Sequence, residues 1–288
     1  MKATIKDIFG HYRLYLSRLD KRSTREDYSK RLAMFERYTA MHGTGNHDFV
    51  GFLDWLFIER GVSPRTRNNY RTWCRSFCKW MMRHGYLTHD PMADIAPLKE
   101  PQKIRQPLPE QALRQVRDHL MAHDRHFLLA VMMEYYCFIR PEELSNLRLG
   151  DIDTQAHAIY ISADISKNGK AEMVGLNHTI LTLMRKLRVL RCPKDWYLFS
   201  KRCCPGKEKL QSRMFRDRWA RLRKRLGLPK DYQFYSLKDS GIRDLANVEG
   251  IVIARDQARH SSIAITNKYL QGRDKPVHAE AIRFKGAL

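Results

Sequence analysis

The chain has 288 residues, with 53 Lys and Arg against 31 Asp and Glu for a formal charge of +22, and 43% apolar residues that include 5 Trp, 12 Phe and 13 Tyr. That apolar content fills the cores of two ordinary domains, and the basic excess calls for a polyanionic partner, nucleic acid first among them. No apolar run approaches the roughly 20 residues needed to span a bilayer, the start M-K-A-T-I-K-D lacks a signal-peptide core, and the six cysteines show no repeated spacing, so a cytoplasmic protein with reduced thiols is expected.

In chain order, Ile5, Ile8, Tyr12 and Tyr15 mark a first helix, and Ser23 with Glu26 reads as a capping box before a second, whose inner stripe is Tyr28, Leu32 and Phe35. Phe49 to Ile58 reads as a buried helix ended by Gly61. Ser63-Pro64 then supplies an N-cap and a first-turn proline for a helix with Tyr70, Trp73, Cys74, Phe77, Cys78 and Met81 inward. Its other side carries Arg67, Arg71, Arg75 and Lys79, a stripe with almost no compensating acid that suits DNA phosphates. Pro91, Pro97, Pro101, Pro107 and Pro109, interspersed with Lys99, Lys103 and Arg105, read as an extended basic linker. The expected organisation is a helical domain over 1–92, a linker over 93–108 and a larger domain over 109–288, closing as a clamp around a duplex.

Leu108-Pro109-Glu110 opens the second domain, and His126 to Phe138 is apolar enough for a buried helix. Arg140 stands before Pro141-Glu142-Glu143, at a helix entrance where it either pairs with one of the glutamates or faces a ligand. Ala158–Ser162 and Ala171–Leu176 read as strands joined by S-K-N-G-K, a turn that displays Lys167 and Lys170. Asn177–Leu190 and Ser212–Leu226 are amphipathic helices, the second ringed by arginines.

The stretch from Tyr235 to Leu270 gathers a cation, an imidazole and a phenol. Tyr235 and Lys238 share a face if Ser236 opens a helix, whereas His260 and Tyr269 fall on opposite sides of a straight helix, so the chain must bend between them, with Thr266 available to cap a new helix and Ser261-Ser262 a short one before it. Lys, Arg and imidazole donors suit a phosphate, and a phenol is a covalent nucleophile that nearby cations favour in its ionised form.

H-S-S-I-x-x-T-x-x-Y at His260 to Tyr269, with Y-Y-C-F-I-R-P-E-E-L-S-N-L-R-L-G-D-I-D around Arg140, resembles the tyrosine recombinases, also called the phage integrase family. The resemblance covers nearly all of the chain. It implies a mainly α fold with a small β-sheet, made of a helical N-terminal core-binding domain and an α+β catalytic domain. It also implies site-specific DNA strand exchange, whether integration, excision or inversion, through a 3′-phosphotyrosyl intermediate, with double-stranded DNA as partner, a homotetramer on paired sites, and no metal or cofactor. On that reading Arg140 grips the phosphate, Lys167 (or Lys170) protonates the departing 5′-oxygen, His260 donates to the phosphate and Tyr269 attacks. The tail from Gln271 is expected to dock on a neighbouring subunit.

Two departures stand out. Where the family usually shows H-x-x-R this chain has Tyr235-Ser236-Leu237-Lys238, and the glycine that usually precedes the H-S-S box is Arg259. Lysine keeps the charge but loses the bidentate fork, so Lys238 is expected to replace the second arginine and Tyr235 to donate one hydrogen bond. A type IB topoisomerase, or a DNA-binding regulator whose catalysis has lapsed, remain the alternatives.

Overall fold

The computed structural model describes residues 4–43, 48–101 and 107–270. The chain divides into two compact units, Met1–Gln102 and Lys103–Leu288, a boundary inside the stretch read as linker.

In the first unit, α1 (Ile5–Ser17) starts at a capping box between Thr4 and Asp7 and buries Ile8, Phe9, Tyr12 and Leu16. Tyr15 is exposed, because the stripe turns onto Leu16. Helix α2 (Arg22–His42) begins one residue before Ser23 with no side-chain cap. Glu26 is taken by Arg22 one turn back, at 2.7 Å, so the expected Ser23–Glu26 box does not form. Helix α3 (Phe49–Asp54) runs into a π-helical turn at Trp55–Glu59, and Gly61, at φ 60°, ends it. Helix α4 (Pro64–Arg83) is capped by Ser63, whose hydroxyl accepts the Thr66 N–H. The core is aromatic: Phe35 stacks on Phe49 with centroids 5.0 Å apart, and Trp73 on Phe77 at 5.5 Å.

The basic stripe of α4 is divided in its use. Arg67 is buried and donates to the Ala96 carbonyl at 3.1 Å, and Arg71 donates to the Ile95 carbonyl. Between them Asn68 makes a two-way bond with Leu98, its Oδ1 accepting the Leu98 N–H and its Nδ2 donating to the Leu98 carbonyl, each 2.8 Å. Residues 95–98 are therefore strapped to α4 by side chains. Carbonyls in extended, Pro-interrupted chain need donors, and Arg67 and Arg71 each supply one. Arg75 is half-buried and Lys79 exposed.

The second unit is built on α6 (Arg125–Tyr136), which is buried from Phe127 to Glu134. Helix α5 (Glu110–His123) packs beside it through Val116 and Leu120. The short α7 (Pro141–Asn146) follows. Strands β1 (Ile152–Asp153), β2 (Ala158–Ile161) and β3 (Glu172–Gly175) form an antiparallel sheet in the order β1-β2-β3, with Ile159 opposite both Ile152 and Val174. Strand β1 has two residues, too few to show an alternation in sequence. Helices α8 (His178–Lys186) and α9 (Arg213–Arg225) close the core.

The last three helices carry the chemistry: α10 (Ser236–Glu249), α11 (Ile251–Ala258) and α12 (Ile263–Leu270). Phe234, just before α10, stacks on Phe215 at 5.7 Å and on Phe127 at 6.1 Å, which anchors the entry to the helix. Helix α10 crosses the end of α6 so closely that a Cβ at Gly241 would lie 1.8 Å from the Tyr135 carbonyl oxygen. Only glycine fits there. The tail from Gln271 and its expected docking lie outside the described residues.

Candidate active site

Arg140 is presented by a strained turn. Phe138 has φ 54°, a left-handed conformation unfavourable for a bulky residue. Its carbonyl accepts a hydrogen bond from Nζ of the buried Lys238 at 2.7 Å. Two residues on, Arg140 is the N-cap of α7. The Glu143 carboxylate reaches back to it, Oε2 accepting the Arg140 N–H at 3.0 Å and Oε1 accepting Nη1 at 2.9 Å. The pairing of Arg140 with a glutamate and its position at a cavity are thus both real.

Glu143 is shared. Its Oε2 also accepts Nη2 of Arg259 at 2.5 Å, so one buried carboxylate joins two guanidinium groups. Burial alone would raise the Glu143 carboxyl; Arg259 and Arg140 hold it below the usual carboxylate range. Burial opposes the Arg140 cation too, and Glu143 outweighs it.

Arg259 ends α11 in the left-handed conformation, φ 56° and ψ 47°. The His260 N–H bonds back to the Arg255 carbonyl at 3.1 Å, in the manner of a helix stop that normally uses glycine. Next, His260 Nδ1 lies 2.9 Å from Thr266 Oγ1, and its ring stacks on Tyr269 with centroids 5.2 Å apart and planes 21° from parallel. The bend between the two residues lies before Ile263, so Thr266 does not cap a new helix. The first turn of α12 is already closed by Ile265 N–H to Ser262 carbonyl, and Thr266 sits fully buried inside it, fixing the imidazole. Tyr235 is hydrogen-bonded to Tyr269, and burial first, then Tyr269, pushes its own phenol well up.

Arg140, Lys167, Lys170, Glu172, Tyr235, Arg259, His260 and Tyr269 line one cavity of about 830 Å³. Both hairpin lysines are exposed at its rim; the turn between them is closed by Gly169 at φ 68°. Lys238 is the exception among the expected site residues of this unit. It is fully buried, it does not line the cavity, and it serves the Phe138 carbonyl. Burial, then Arg140, lowers its amine to about 7. One of its three donors is engaged by a backbone carbonyl, and burial disfavours a cation there. Arg259 and the bridging role of Glu143 were missed; the signal in sequence was an arginine where the motif usually shows glycine. Among the described residues no group of three His, Cys, Asp or Glu side chains gathers to hold a metal.

The profile of the phage integrase family matches residues 95–275, more than half of the chain. The chain belongs to the phage integrase family. Relatives carrying the name tyrosine recombinase extend the match. XerC of Xanthomonas campestris is 26% identical over 219 residues, 73% of this chain and 65% of its own length. XerD of Listeria monocytogenes is 32% identical over 145 residues, 48% and 46% of the two chains. XerC of Neisseria meningitidis is 27% identical over 139 residues, 46% and 45%. The chain thus spans about half the length of the first curated relatives it matches. Among solved structures, lambda integrase as a dimer on a COC′ core site superposes with a TM-score of 0.78 at 17% identity, covering 96% of this chain and 81% of that one. Lambda integrase as a tetramer on a Holliday junction also gives 0.78, at 16% identity over 96% and 80%. The Tn1549 transposon integrase with circular intermediate DNA gives 0.72 at 15% identity, over 97% and 98%. The phage integrase fold, mainly helical with a small antiparallel sheet, is therefore that of this chain.

Proposed function

We propose that the chain is a site-specific DNA recombinase that cuts and rejoins strands through Tyr269. The observation that carries this reading is the placing of Tyr269, His260, Arg140 and the hairpin lysines around one cavity. A phosphodiester seated there meets cations on one side and the phenol on another. The Tyr269 oxygen bonds to phosphorus as its proton leaves to solvent. The bond to the 5′-oxygen breaks, and that oxygen takes a proton from Lys167, with Lys170 as the alternative donor. In the tautomer in which Thr266 donates to Nδ1 of His260, Nε2 carries the proton and can donate to a non-bridging oxygen. One phosphoester replaces another, so resealing needs no nucleotide.

Double-stranded DNA is the substrate that the +22 charge favours. In the first unit Arg75 and Lys79 are the stripe residues proposed to touch its backbone. Exchange between paired sites by four copies is proposed by analogy with the tetramer formed by lambda integrase on a Holliday junction, as is a place in the cytoplasm with the chromosome.

The test is a duplex nicked close to the cleavage point, from which the cut fragment diffuses away. Wild type is expected to form a denaturation-resistant protein–DNA adduct that Tyr269→Phe does not form. Tight DNA binding without any adduct across a panel of flanking sites would instead mark a DNA-binding regulator.

A further inference from the structure

We infer that Arg259 is the second phosphate-gripping guanidinium of this site, supplied from the end of α11 in place of the arginine missing at Lys238. The inference rests on the recombinase reading above and names a residue that the family motif does not supply at that position.

Three observations converge. The first concerns backbone. A non-glycine residue in the left-handed region costs about 1 kcal/mol, and Arg259 takes that conformation where glycine is the ordinary choice. Something the side chain does must offset the cost. The second concerns placement. Arg259 lines the cavity that also holds Arg140, His260 and Tyr269, and one carboxylate, Glu143, grips Nη1 of Arg140 and Nη2 of Arg259. One carboxylate thereby holds both guanidinium groups, the residue type suited to a tetrahedral anion.

The third concerns unfilled bonding. The Arg259 side chain is 2% exposed, yet its Nε and Nη1 make no hydrogen bond. Donors buried without partners are costly and rare. The group facing Nη1 is the Glu172 carboxylate, 3.6 Å away and beyond hydrogen-bond range, and Glu172 Oε2 is itself buried without a hydrogen bond. A loosely held carboxylate beside an unsatisfied guanidinium marks an anion position. Glu172 sits at the first residue of β3, on the hairpin that displays Lys167 and Lys170. The unbonded Arg259 donors are closed to solvent, so a phosphate entering the cavity reaches them by displacing the Glu172 carboxylate.

Lys238 fits the same picture from the other side. Its amine is committed to the Phe138 carbonyl, which holds the turn that presents Arg140. It is a positioning residue, and the charge expected of it has moved to Arg259.

The test uses the full chain and the nicked duplex. Arg259→Gly suits the left-handed backbone and removes the guanidinium. The expected result is adduct formation slowed on the order of a hundredfold or more at saturating DNA, and partial recovery with added methylguanidinium. Arg259→Lys, which keeps a cation for Glu143, is expected to be slowed at least tenfold, because the fork is lost. Adduct formation by Arg259→Gly within threefold of wild type would overturn the inference. So would a slow Arg259→Gly with no response to methylguanidinium beside an Arg259→Lys that reacts normally, since that pattern belongs to a structural ion pair. Should Arg259→Gly not fold, Arg259→Lys alone decides: slowing of tenfold or more supports the inference and normal reaction overturns it. Absence of adduct from wild type under all conditions is a different result, and strikes the recombinase reading itself.

Discussion

Replacing Lys238 by methionine tests whether this amine is a neutral strut or a working cation. In the folded chain its pKa is lowered to about 7, by burial first and by Arg140 next, with Arg259 adding to the effect and Glu134 and Glu143 opposing it. Unfolded, a lysine titrates near 10.4. Between those values the unfolded chain holds a proton that the folded chain has released, so folding stability from this group rises with pH, by at most about 1.4 kcal/mol per pH unit. Below pH 7 both states are protonated and the contribution is flat. The stability of wild type minus that of Lys238→Met should therefore grow by roughly 2 kcal/mol from pH 7 to pH 9. With a urea slope of about 2 kcal/mol per molar, that is a relative midpoint shift of about 1 M. Glu134, fully buried with neither carboxylate oxygen hydrogen-bonded, has the opposite tendency, its pKa raised by burial. Because the Lys238 charge opposes that rise, Glu134 does not cancel in the comparison, and Glu134→Gln is placed in both proteins. Urea titrations at pH 6, 7, 8 and 9, followed by near-ultraviolet circular dichroism, supply the difference. A difference that stays constant within about 0.5 kcal/mol over that range would mean that Lys238 remains charged when folded, and the strut assignment would have to be dropped.

Three further outcomes are expected. Gly241→Ala puts a methyl group into the Tyr135 carbonyl, so it should cost at least about 3 kcal/mol; a thermal midpoint within two or three degrees of wild type would show that the α6–α10 crossing is slacker than described. Lys167→Ala should slow adduct formation by roughly a hundredfold or more on ordinary DNA and react normally when the 5′-bridging oxygen is replaced by sulfur, which departs without a proton. The same signature in Lys170→Ala and not in Lys167→Ala would move the general acid to Lys170. Thr266→Val keeps shape but removes the hydroxyl beside His260 Nδ1, and should slow adduct formation roughly tenfold without changing DNA affinity; an unchanged rate would mean that the imidazole is oriented by other contacts.

What could be read from sequence and what could not follow a physical division. Arg140 was legible because its setting is local: Pro141 and Glu143 lie within one helical turn and announce the N-terminus that they cap. The α4 stripe was legible as a pattern but only partly as a function, since the carbonyls that engage Arg67 and Arg71 lie 24 to 29 residues away. Lys238 was legible as a cation but not in its partner, the acceptor being 100 residues back in Phe138. Thr266 was assigned as a cap from its residue type, whereas the turn had already closed at Ser262 and the hydroxyl serves His260. Arg259 was visible as an oddity, but its meaning needs the position of Glu143, 116 residues away. Local signals specify elements; which side chain meets which ligand depends on contacts that a linear motif does not encode.

The most direct measurement is on the adduct itself. Wild type trapped on the nicked duplex, digested with nuclease and protease and read by tandem mass spectrometry, should carry a 3′-linked nucleotide phosphate on the Tyr269 oxygen, with a 5′-hydroxyl on the released strand. A nucleotide found on Tyr235 or on any other side chain, or a released strand ending in 5′-phosphate, would contradict the account at its centre.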